Sequence, residues 1–101
     1  MIKLEEVISL LDEKKVEDIV SIDVKDRTPF SEYYVIGTAS NERQLEAIAQ
    51  ILDDYIYEKE KLFAKKDGTP ESGWYVVDIG NIVIHIMTKE KRELFKLEEI
   101  K

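Results

Sequence analysis

His85 is the single histidine of the chain and the first place to look for chemistry, because an imidazole near neutral pH can move protons. Asp78 would lie close to it if the two flank one hairpin, and an aspartate so placed orients the ring for general acid–base work. A nucleophile to accompany them is missing: Ser40 reads as a helix-start residue and Ser72 as a loop residue. Metal binding has one imidazole, no thiol, and carboxylates such as Asp23 and Asp26 that fall outside any calcium-loop spacing. Gly37-Thr38-Ala39-Ser40 runs from an apolar segment to a helix start but has one glycine and no P-loop lysine, so its glycine is expected to serve close packing or a turn. No catalytic residue, cofactor or metal ligand is assigned.

Composition narrows the field further. The 101 residues carry 22 acidic and 15 basic side chains, a formal charge of −7, and no cysteine. A chain of this length forms one domain, 1–101, and with 44% hydrophobic residues it buries roughly 65% of its unfolded surface without staples. No apolar run approaches the roughly 20 residues of a bilayer span, so a soluble, cytoplasmic protein with no membrane contact is expected. The acidic balance repels phosphate backbones; nucleic acid is therefore not expected as the main contact, and a basic protein partner fits better.

These residues must be positioned by a small set of elements. Leu4, Val7, Ile8 and Leu11 share one helical face. Ile19–Val24 alternates with period two, which predicts a strand near a sheet edge, and Tyr33-Tyr34-Val35-Ile36 is apolar without alternation, as in a central strand covered on both faces. Asn41 and Gln44 have capping-box spacing ahead of Leu45, Ile48, Ala49, Leu52, Tyr55 and Ile56, with Glu46, Asp53, Asp54 and Glu58 on the solvated side. Leu62–Ala64 is a candidate short strand and Lys66–Gly73 a mobile polar loop. Thr88 can cap a last helix carrying Leu94, Phe95, Leu97 and Ile100. The order describes an α/β (α+β) single domain with a mixed five-stranded sheet packed with helices.

Gly80-Asn81 between Trp74–Ile79 and Ile82–Met87 is the signature of a two-residue hairpin turn. Pairing Ile79 with Ile82 places Val77 opposite Ile84 and Tyr75 opposite Ile86 on one aliphatic and aromatic face. The other face then carries Asp78 opposite Val83, Val76 opposite His85 and Trp74 opposite Met87. That second face is either a recognition patch anchored by Trp74, or a packed interior in which Asp78 bonds diagonally to His85.

The strings Tyr33-Tyr34-Val35-Ile36-Gly37-Thr38-Ala39-Ser40-Asn41-Glu42-Arg43-Gln44 and Gly73-Trp74-Tyr75-Val76-Val77-Asp78-Ile79-Gly80-Asn81-Ile82-Val83-Ile84-His85-Ile86-Met87 resemble the Iojap family of bacterial ribosomal silencing factors. The resemblance runs from the first helix to Leu97-Glu98. It implies a nucleotidyltransferase-like fold that lacks that fold's magnesium-holding acids, and a factor without catalytic activity. It further implies docking on the large ribosomal subunit through ribosomal protein fourteen, which blocks subunit joining and represses translation. Carried over by position, the docking surface falls on Trp74, Val76, Asp78, His85 and Met87, and the family motif on Thr38, Ser40, Arg43, Gln44 and Gly80. Two departures stand out: Asn81 where family members usually carry aspartate, and a C-terminus without the tryptophan that often follows Leu97-Glu98. A residual nucleotidyltransferase-type enzyme and a homodimeric adaptor that pairs through the Trp74 face are the alternatives.

Overall fold

A computed structural model describes residues 2–61 and 64–95, with Phe95 described in its backbone alone. The chain runs α1 (Leu4–Glu13), β1 (Glu17–Asp23), β2 (Tyr33–Ala39), α2 (Glu42–Glu60), β3 (Lys65–Thr69), β4 (Trp74–Asp78), β5 (Ile82–Thr88), α3 (Lys89–Phe95). The strands form one sheet in the order β1-β2-β5-β4-β3, with β2 and β5 parallel and every other pair antiparallel. This is the mixed five-stranded α+β architecture expected, with β1 at an edge and β2 inside.

Strand parity sorts the sheet into two unlike faces. One carries Val35, Ala39, Val77, Ile82, Ile84 and Ile86, all fully sealed against Val7 and Leu11 of α1 and Leu45, Ile48, Leu52 and Ile56 of α2. Gly37 lies on this side, and a methyl group there would come within 2.5 Å of Val16 Cγ1, so its role is close packing. Asn81 does something an aspartate cannot: its Nδ2 amide donates to the Ile2 carbonyl at 3.1 Å, fastening the N-terminus to the hairpin.

Helix ends obey local chemistry. Asn41 Oδ1 accepts from the Gln44 backbone N–H at 2.8 Å, as the spacing predicts, whereas the Gln44 side chain reaches one residue further back and accepts from the Ser40 hydroxyl at 2.7 Å and its N–H at 2.5 Å. Thr88 Oγ1 accepts from the Lys91 N–H and so caps α3. Between the long helices, the Tyr55 hydroxyl donates to Glu6 at 2.6 Å, which holds the Glu6 carboxyl below its ordinary range and pushes the phenol up to about 12.

Two sequence expectations are corrected. The segment taken as a mobile loop from Lys66 contains β3, Lys65–Thr69, an edge strand exposed at every position. Its ladder is a backbone property, which an apolar pattern cannot report; Leu62 and Phe63 of the strand expected there lie outside the described residues. Asp53 is not solvated: it sits under β3, 3.3 Å from Lys66 Nζ. Leu94, counted among the apolar residues of the last helix, is 68% exposed, and among the described side chains of α3 Arg92 is the buried one. Leu97 and Ile100 lie outside the described residues.

Gly37→Ala should lower the unfolding free energy by about 1–3 kcal/mol, since the stiff, buried Val16 cannot retreat without moving its neighbours. Asn81→Asp should cost about 1 kcal/mol by removing the donor to Ile2. Urea denaturation of each variant against the parent measures both.

Candidate functional site

The second sheet face is laid out in three cross-strand rows. Ile22, Tyr34, Val83, Asp78 and Lys65 form the first, nearest the Gly80-Asn81 turn. Val20, Ile36, His85, Val76 and Asp67 form the second, and Glu17, Thr38, Met87, Trp74 and Thr69 the third. Polarity therefore rises from the aliphatic β1 end toward the charged β3 edge. Among the described residues α3 is the helix on this side, packed on β2 and β5 at the Thr38 and Met87 end of the third row. Buried Arg92 anchors it by donating to Thr38 Oγ1 at 2.9 Å and to the Asp18 carbonyl.

Beyond α3 the face is half-buried at Tyr34, Trp74, Val76, Asp78, Val83 and His85, while Ile36 in the middle row is fully buried. Trp74 and His85 lock together there. The indole Nε1–H donates to His85 Nδ1 at 3.2 Å, with ring centroids 5.9 Å apart and a tilt of 48°. The edge of Tyr34 meets the imidazole from the other side, centroid to centroid 5.6 Å. This arrangement lets a large ring stand half out of water without a stranded donor on its inner edge. A groove of about 370 Å³ opens beside Trp74, bounded by Asp67, Gly68, Ser72, Val76 and Lys91.

Desolvation among these rings pushes the His85 pKa down to about 4, so the imidazole is neutral at pH 7. Asp78 plays no part in that. Its Oδ1 accepts from the Gly80 N–H at 2.8 Å, which stiffens the turn, and no hydrogen bond joins it to His85. The diagonal Asp78–His85 bond considered from sequence is thus replaced by the Trp74–His85 bond. The serine hydroxyls are engaged elsewhere: Ser40 with Gln44, and Ser72 with Thr69 and with both backbone groups of Trp74.

The remaining site residues fall apart into distinct roles. Met87, the cross-strand neighbour of Trp74, is 0% exposed and so offers no contact surface of its own, a correction to its placement in the docking set. Thr38 is buried as the acceptor for Arg92. Gln44 spans from Ser40 to the carbonyls of Lys14 and Lys15 at 3.4 and 3.5 Å, so its role is to hold α1, β1 and α2 in place. Arg43 is exposed on the first turn of α2, in a separate depression with Glu42, Glu71, Glu90 and Lys91. Gly80 supplies the turn, with φ +95°. Sequence reasoning placed Val83 on this face but missed Tyr34 and Asp67; the parallel register of β2 on β5 and the existence of β3 bring them there.

The same outline recurs in known proteins. The family model described as ribosomal silencing factor during starvation matches residues 2–100. A Haemophilus influenzae protein named ribosomal silencing factor is 32% identical over 103 aligned positions, covering 99% of this chain and 98% of its own. A mouse protein named for mitochondrial assembly of the ribosomal large subunit is 33% identical, covering 93% of this chain and 42% of its own. A crystal structure from Chromobacterium violaceum shares the fold with a TM-score of 0.85 at 24% identity, over 96% of this chain and 84% of that one.

A lowered histidine pKa makes stability depend on pH with a definite sign. The unfolded chain takes up the proton first, so the stabilisation is complete above about pH 6.5 and is lost as pH falls toward about 4. The loss at the bottom of that window is on the order of 3 kcal/mol. Denaturant unfolding from pH 7 to 4 should show a larger drop in the parent than in His85→Gln, which keeps only the carboxylate share, and NMR of the single histidine should find it still neutral at pH 5.

Proposed function

We propose that this chain, which belongs to the ribosomal silencing factor family, represses translation by seating its Trp74 face on a basic protein of the large ribosomal subunit, ribosomal protein fourteen. The bulk of the bound domain then stands where the small subunit must join, and inhibition needs no turnover. The observation that carries this reading is the unequal covering of the sheet: two helices seal one face, while the other keeps a tryptophan half out of water with its N–H already satisfied. A ring presented in that way is the typical core of a protein interface.

Charge favours the same partner. The net charge of −7 repels exposed RNA and limits indiscriminate sticking to the ribosome, while Asp67 and Asp78 beside the apolar rows can meet lysine or arginine on a basic protein. His85, neutral, adds no positive charge against such a partner. The mouse relative's name refers to the large subunit and agrees with this choice. The same face suits a second copy of the chain, so a dimer of free protein that gives way on ribosome binding is compatible with the mechanism.

Purified protein should co-sediment with isolated large subunits, not small ones, and prevent the two from associating. Trp74→Ala should weaken large-subunit binding by about 2 kcal/mol or more, roughly thirtyfold, while retaining the parent's circular dichroism. Normal subunit joining at saturating protein, or unchanged co-sedimentation of the variant, contradicts the reading.

A further inference from the structure

We propose that His85 is a specificity-determining residue of the Trp74 face: a neutral imidazole, fixed in one tautomer by Trp74, that donates a hydrogen bond from Nε2 to a backbone carbonyl of the protein partner. The assignment rests on the docking reading above and adds to it the polar contact that orients the bound partner.

Donor and acceptor chemistry fixes the tautomer. An indole N–H can only donate, so the ring nitrogen it meets must present a lone pair. His85 Nδ1 is that nitrogen, at 3.2 Å, and the one proton of a neutral imidazole therefore resides on Nε2. Nε2 has no hydrogen-bond partner among the described residues, yet it is not among the sealed polar atoms left without one, so it reaches solvent. Its position is central, in the middle row between Ile36 and Val76, with Tyr34 and Trp74 against the ring. A partner that covers these rows removes water from Nε2–H and must supply an acceptor in its place, or the donor is stranded.

The surroundings choose the acceptor. Asp67 lies in the same row one strand beyond Val76, and Asp78 lies in the adjoining row opposite Val83. Both disfavour an incoming carboxylate or phosphate, which leaves the uncharged carbonyl oxygen of a polypeptide. Partners that bring an anion or a bare apolar patch to this point are rejected.

Two measurements test this with the intact chain. In free protein, long-range proton–nitrogen NMR of the single histidine should show Nε2 protonated and Nδ1 bare at pH 7; a proton on Nδ1 overturns the proposal whatever the variants do. In co-sedimentation with isolated large subunits, His85→Phe keeps the aromatic bulk without a donor, and His85→Asn carries an amide that reaches only the Nδ1 position. Each should bind about tenfold more weakly than the parent. His85→Gln, whose amide reaches the Nε2 position, should recover most of that loss. Equal binding by all three, with Trp74→Ala still defective, refutes the hydrogen bond and leaves the docking face standing. Equal binding by all three together with Trp74→Ala removes the docking face as well. Equal losses in Phe, Asn and Gln variants also overturn the proposal, because the site then needs an imidazole and not a donor.

Discussion

The two-residue turn at Gly80 and Asn81 is the constraint on which the rest of the molecule depends. Gly80 takes the positive φ and Asn81 does not, so the residue without a Cβ stands where the reversal needs left-handed backbone. The turn also gathers distant parts of the chain. The N–H groups of Glu32 and Tyr33 donate to the Asn81 carbonyl, Ser31 Oγ donates to the Gly80 carbonyl, and the Asn81 amide holds Ile2. A slip of one residue would turn Ile82, Ile84 and Ile86 toward water and bury His85 in the helix-covered core. Because β5 pairs with both β2 and β4, the parity set at this turn is inherited by the whole sheet.

That parity produces a domain with one finished face and one unfinished face. The finished side holds α1 and α2 against a continuous aliphatic layer. The other side is held differently: Arg92 and Thr38 clamp α3 over one row, and the aromatic trio of Tyr34, His85 and Trp74 steadies the remainder without sealing it. Under the docking proposed above, a ring already held in place loses little freedom on association. The same packing strips water from His85 and so keeps it uncharged at neutral pH.

The chain belongs to the ribosomal silencing factor family, and the residues of its two long motif strings take different structural roles. Thr38, Ser40, Gln44 and Gly80 build the frame through caps, clamps and the turn. Trp74, Val76 and His85 remain on the surface that the frame presents, with Asp78 stiffening the turn at its rim. Asn81 holds Ile2 through a donor that a carboxylate lacks.

Local pattern was enough for the elements whose side chains face a core. The apolar spacing of α1 and α2, the capping by Asn41, the alternation in β1 and the pairing of Trp74–Asp78 with Ile82–Met87 were all legible, because each arises from steric and solvation rules acting within a few residues. The strand β3 was not, since an exposed edge is held by backbone hydrogen bonds that impose no apolar code on Lys65–Thr69. Nor were the buried state of Met87, the clamp of Arg92 on Thr38, or the choice of Trp74 over Asp78 as the partner of His85. Those depend on which strand lies beside which and on where α3 comes to rest, distances set only when segments far apart in the chain are packed together.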